Sequence, residues 1–188
     1  MCAKYKEEKH IKYCLGNALF ALMEKYPYDE ITVNEICYHA HVGRATYYNY
    51  VSGKRGKDDL LTFKLERDFD QYVMLRRSRN LSHSDDGGDL YNFVYDNRNL
   101  FRLLHRNQLS NVLIQLIRYS ENNIASTGDQ AYLDSYIALG HLGIMQQWYE
   151  DDYDRTAYDV ASIIFQKYSD LVKYYIQKYV EETQKTTT

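Results

Sequence analysis

Two helix patterns are compressed into residues 32–51, and no other stretch limits the possible folds so strongly. Thr32 followed three positions later by Glu35 is a capping-box pattern, in which each side chain satisfies the other's free backbone N–H at a helix start. Val33, Ile36 and Ala40 give that helix its buried face. His41, Val42 and Gly43 alone separate it from a second helix, 44–51. Gly43 supplies a flexible or capping position, and Val42 plugs the angle between the helices. In the second helix Ala45 and Tyr48 share one face, while Arg44, Thr46, Tyr47 and Asn49 lie around the others.

The flanking sequence is helical too. The chain of 188 residues has one proline, Pro27, and nine glycines. So few breakers, together with polar–apolar periodicities of helical spacing, predict an all-α protein. Ile11, Leu15, Ala18 and Leu22 mark a first helix over 4–25, which Pro27 ends. A long helix is expected over 58–79 and a loop over 80–88. Residues 89–106 form a helical stretch broken or bent near Asp96 and Asn97. A helix over 110–120 is followed by a loop over 122–128. Two last helices cover 132–149 and 156–181, the second started by Thr156 with Asp159. Gly140 and Gly143 inside the first of these each cost about 1 kcal/mol against alanine, and close packing on a partner helix is the expected compensation. The chain divides at Lys57 into an N-terminal unit, 1–57, and a helical body, 58–188.

Charge and cysteine content exclude several classes of function. The net charge is −3, so the chain is no polybasic coat for nucleic acid. Residues 1–60 hold nine Lys or Arg against eight Asp or Glu, a balance that permits a local DNA contact. Cys2, Cys14 and Cys37 show neither CxxC spacing nor a histidine pattern, so no zinc or other metal site and no disulfide framework is expected. No signal-peptide run and no stretch of roughly 20 apolar residues occurs, and the expected location is the cytoplasm. Neither a Ser/His/Asp order nor a phosphate loop is present, so an enzyme is not expected, and no cofactor is implied.

The residues Ile31-Thr32-Val33, Glu35-Ile36, Ala40, Val42, Arg44, Thr46-Tyr47-Tyr48, Tyr50 and then Lys57-Asp58-Asp59-Leu60-Leu61 resemble the DNA-binding signature of the TetR family of bacterial regulators. That signature reads I-T-V-x-x-I-A-x-x-A-G-V-S-x-x-T-F-Y-x-Y-F-x-x-K-x-x-L. The chain departs from it at His41 for glycine, Gly43 for serine and Val51 for phenylalanine, and its link over 52–57 is longer. The resemblance implies an N-terminal three-helix helix-turn-helix DNA-binding domain followed by a helical ligand-binding and dimerisation domain.

A helix-turn-helix sets the early residues of its second helix against base edges in the major groove. Here these are Arg44, Ala45, Thr46 and Tyr47, with Asn49 beyond them. Arg44 suits guanine, and Ala45 or Thr46 a thymine methyl. The resemblance implies phosphate contacts for Thr32 and Tyr48, and for Lys57 or Lys54 as the family's lysine. It also implies a homodimer paired through the last two helices on a double-stranded operator, with no membrane partner. In the body, Tyr91, Tyr95, Tyr132, Tyr136, His141, Met145 and Trp148 are candidates to line a pocket for a small-molecule effector. The function expected is a sequence-specific regulator, a repressor released by that effector. The alternative is a TetR-like coactivator or protein-interaction module with weak DNA binding of its own.

Overall fold

The structure is a computed structural model and describes residues 2–51, 56–79, 88–121, 127–163 and 166. Every regular element among the described residues is a helix, as the scarcity of breakers predicts. The chain runs through α1 (Cys2–Met23), α2 (Val33–His39), α3 (Arg44–Tyr50), α4 (Lys57–Ser78), α5 (Gly88–Asp96), α6 (Arg98–Arg106), α7 (Ser110–Ser120) and α8 (Asp129–Glu150). Residues 157–163 are helical again. The rest of the last expected helix and most of the two expected loops, 80–87 and 122–126, lie outside the described residues, as does Lys54.

Helix α4 organises the packing. It packs against α1 on the N-terminal side and against α7 and α5 in the body. Leu60, Leu61, Leu65 and Phe69 form the buried stripe that serves both layers. On the N-terminal side Leu15, Leu19 and Leu22 of α1 close over Ile36 and Cys37 of α2. Gly16 sits so close to α4 that a Cβ there would meet Lys64 Cβ at 2.9 Å and the Leu60 carbonyl at 3.0 Å. On the other side Phe93, Phe101, Leu104, Leu113, Leu116 and Ile117 form the core of α5–α7.

Several boundaries follow from local chemistry. Pro27 begins a short 3-10 turn, Tyr28–Glu30, after α1 has ended at Met23, slightly earlier than its apolar spacing predicts. Of the break or bend expected near Asp96 and Asn97, the structure shows a break between α5 and α6, where the Asn97 side chain donates to the Phe93 carbonyl at 2.8 Å. Thr156 and Asp159 exchange capping hydrogen bonds, each backbone N–H reaching the other's side chain, at the last helix start. In the basic run after Leu75, Arg76 is buried against Asp89 of α5, while Arg77 and Arg79 are exposed.

Candidate nucleic-acid interface

The α2–α3 pair is fixed at its first helix start and at its turn. The Thr32 hydroxyl accepts from the Glu35 backbone N–H at 3.3 Å and donates to its carboxylate at 2.7 Å. The Thr32 backbone N–H donates to the same carboxylate at 2.8 Å. These bonds hold the Glu35 carboxyl below its ordinary value. His41 takes φ 53°, the left-handed conformation in which glycine is at ease and which histidine tolerates. Val42, half-buried, fills the corner, and its N–H reaches the Cys37 carbonyl at 3.0 Å. Gly43 precedes α3 in extended backbone and supplies no side-chain cap.

Helix α3 turns one continuous side outward. Arg44, Ala45, Tyr48 and Asn49 are exposed, at the i, i+1, i+4, i+5 positions that share a helix side. Tyr48 is 55% exposed. Among the described residues, Arg44, Tyr48 and Asn49 form no side-chain hydrogen bond, so their donors face outward unused. Thr46 is half-buried at the margin of this side.

Two expected contacts are corrected. Tyr47 is 3% exposed and packs in the core beneath α3, its ring edge-on to Tyr48 at 5.3 Å. Burial raises its phenol's pKa, and its ring anchors α3 where a base contact had been expected. Lys57 is also occupied within the chain. Its ammonium donates to the carbonyls of Tyr28 at 2.6 Å and Ile31 at 3.0 Å, and lies 4.3 Å from the centre of the Tyr28 ring. Burial lowers its pKa. Lys57 therefore clips the 28–31 connection to the start of α4 and does not reach outward as a phosphate contact. Tyr28 completes the junction, its hydroxyl donating to Asp58 and its backbone N–H to Asn107 Oδ1 at 3.0 Å.

Sequence reasoning passed over Tyr38, which stands 78% exposed on α2. Its signal was its spacing, i+4 from Asn34 and off the Val33–Ile36–Ala40 stripe.

The candidate effector residues divide. Tyr91, Tyr95, His141, Met145 and Trp148 come together, but as packed core. Tyr95 stacks on Trp148 at 5.7 Å, and the Tyr91 hydroxyl bonds His141 Nδ1 at 2.6 Å. Trp148 Nε1 donates to the Arg155 carbonyl at 3.1 Å, and Tyr153 closes on its ring at 5.3 Å. Burial raises the Tyr91 phenol's pKa and lowers that of the His141 imidazole. Tyr132 and Tyr136 are 81% and 66% exposed on the other side of α8, apart from the Trp148 cluster. A cleft of about 840 Å³ lies elsewhere, between α4, α5 and α7. Arg67, Val73, Met74, Arg77, Leu90 and Tyr119 are among its walls.

Among the described residues no group of three or more His, Cys, Asp or Glu is placed to hold a metal ion, and no helix is long and apolar enough to cross a membrane. Cys14 and Cys37 are free thiols. No family model, curated protein or solved structure matches the chain.

Proposed function

We propose that the chain is a TetR-like, sequence-specific DNA-binding regulator, a homodimeric repressor released by a small-molecule effector. The observation that carries this reading is α3. A seven-residue helix stands after a capped α2 and a left-handed turn, and presents Arg44, Ala45, Tyr48 and Asn49 on one outward side. Arg44 and Asn49 offer the donors and acceptors that read base edges, and the Tyr48 hydroxyl offers a phosphate contact. The pairing of two copies is supported by the exposed Tyr132, Leu133, Tyr136 and Leu139 on α8. Among the described residues, nothing beyond α8 itself lies within 4 Å of a Cβ position at Gly140 or Gly143, which suits the close approach of another helix. The cleft bounded by α4 is the effector-sized opening, and α4 also packs against α1.

The test is selection of genomic fragments by the purified chain, followed by anisotropy titrations at several salt concentrations. A selected fragment bound with a steep negative salt slope supports the reading. Tyr48→Ala is expected to weaken binding to all sequences about tenfold, and Arg44→Ala to relax preference at one base pair by about 1–3 kcal/mol. If no fragment is enriched over random DNA, the regulator reading fails and a protein-interaction role takes its place.

A further inference from the structure

We propose that the pocket where α1, the end of α3 and the start of α4 meet binds a small organic ammonium ion of the trimethylammonium type. The pocket measures about 270 Å³, near the lower end of ligand cavities and enough for a few heavy atoms. Tyr50, Val51 and Phe63 give it aromatic and aliphatic walls. Asp59 and Glu66 supply carboxylates from one side of α4, two turns apart.

Among the described residues, the charge of this pocket is not balanced from within. Neither Asp59 nor Glu66 has an ion-pair partner among the described residues. Glu66 is half-buried, and burial raises its carboxyl's pKa against the weaker opposing influence of Arg67. Arg67 is itself paired with Asp70. Lys12 is the pocket's own cation, and its ammonium sits 2.7 Å from Glu8 on the same helix. A half-buried carboxylate without a partner favours an incoming cation, because pairing offsets its desolvation.

The walls select the kind of cation. A hard divalent metal needs several converging oxygens, and two carboxylates two helical turns apart do not converge. An alkylated ammonium is weakly hydrated and gains from aromatic faces as well as from carboxylates. Anions are repelled, and a neutral ligand leaves the half-buried Glu66 unpaired, Asp59 being exposed to solvent. On the DNA-binding reading, occupation of this pocket would bear directly on the seating of α3. The binding itself does not depend on that reading.

The experiment is a titration of the full chain with choline, followed by backbone amide NMR, with 3,3-dimethylbutan-1-ol as the neutral molecule of the same shape. Saturable shifts are expected at Val51, Thr62 and Phe63 with choline and not with the alcohol. Glu66→Gln is expected to weaken choline binding roughly fivefold to tenfold while melting no lower than the wild type. Asp59→Asn is expected to weaken it in the same sense, and Glu8→Gln to leave it unchanged. Equal shifts with the neutral alcohol, unchanged affinity in both carboxamide variants, or no saturable shift would overturn the proposal. None of these readouts uses DNA, so failure of the site and failure of the regulator reading are separate results.

Discussion

Helices α3 and α8 both carry several aromatic residues, and they divide them between core and surface in different ways. On α3 the division falls between neighbours: Tyr47 is core and Tyr48 is surface. On α8 it falls between two sides of the helix. Tyr132 and Tyr136 are exposed, whereas Trp148 is buried. The angle around the helix governs both cases. At about 100° per residue, Trp148 lies about 160° round the helix from Tyr132. An aromatic-rich helix therefore does not identify a pocket. Its register decides which rings meet.

The sharpest way to break this comparison is to truncate rings on the two sides of α8. Trp148 is 2% exposed and in contact with Tyr91, Tyr95 and Tyr153. Trp148→Ala is expected to cost about 3–5 kcal/mol in urea unfolding, through lost burial and the cavity left behind. Tyr132→Ala on the opposite side is expected to cost less than about 0.5 kcal/mol at concentrations where the chain is monomeric. Equal losses from the two variants would mean that the two sides of α8 are not distinct.

That division also shows what could be read from sequence. The capping pairs Thr32–Glu35 and Thr156–Asp159 and the break at Asn97 were legible because their signals are local. Spacing set Ala45 and Tyr48 on one face but placed Arg44 apart from them, whereas the structure exposes all three. Tyr47 was misplaced because a helix of seven residues has only two turns, too few for periodicity to separate neighbours. The signature's phenylalanine at that position was the better guide. Tyr132 and Tyr136 were grouped with Trp148 by residue type, although their spacing already placed them on opposite sides. Lys57 could not have been read at all. Its partners are backbone carbonyls of Tyr28 and Ile31, which no side-chain pattern encodes.

The Lys57 clip gives the next largest effect and separates a structural lysine from a phosphate contact. Lys57→Met keeps the aliphatic stem and removes the donor to two carbonyls. It is expected to cost about 1.5–3 kcal/mol, the range for hydrogen bonds to a charged group. On the proposed DNA-binding reading, it is also expected to leave the salt slope of binding unchanged. A slope reduced by about one unit, with stability intact, would return Lys57 to the role of phosphate contact.

The smallest effect concerns the two helix starts on either side of the turn. Helix α2 has a full capping box, whereas α3 begins at Gly43 with no side chain to offer. A Cβ at Gly43 would meet nothing closer than Thr46 Oγ1 at 3.7 Å, and the backbone there is extended, so serine fits without strain. Gly43→Ser is expected to stabilise the chain by a few tenths of a kcal/mol at neutral pH. The two caps should then respond differently to acid. Glu35 is held below its ordinary 4.5, first by the Thr32 side chain and then by its backbone N–H. A carboxyl depressed in the folded state contributes stability above its unfolded pKa, and that contribution is lost as pH falls through the folded value. Protection of the Thr32 amide against hydrogen exchange should therefore decline below about pH 4.5. The hydroxyl cap introduced by Gly43→Ser has no carboxyl, so its gain should persist over the same range. A Gly43→Ser gain that vanishes in acid alongside the α2 cap would show that the two helix starts unfold as one unit and cannot be compared as independent ends.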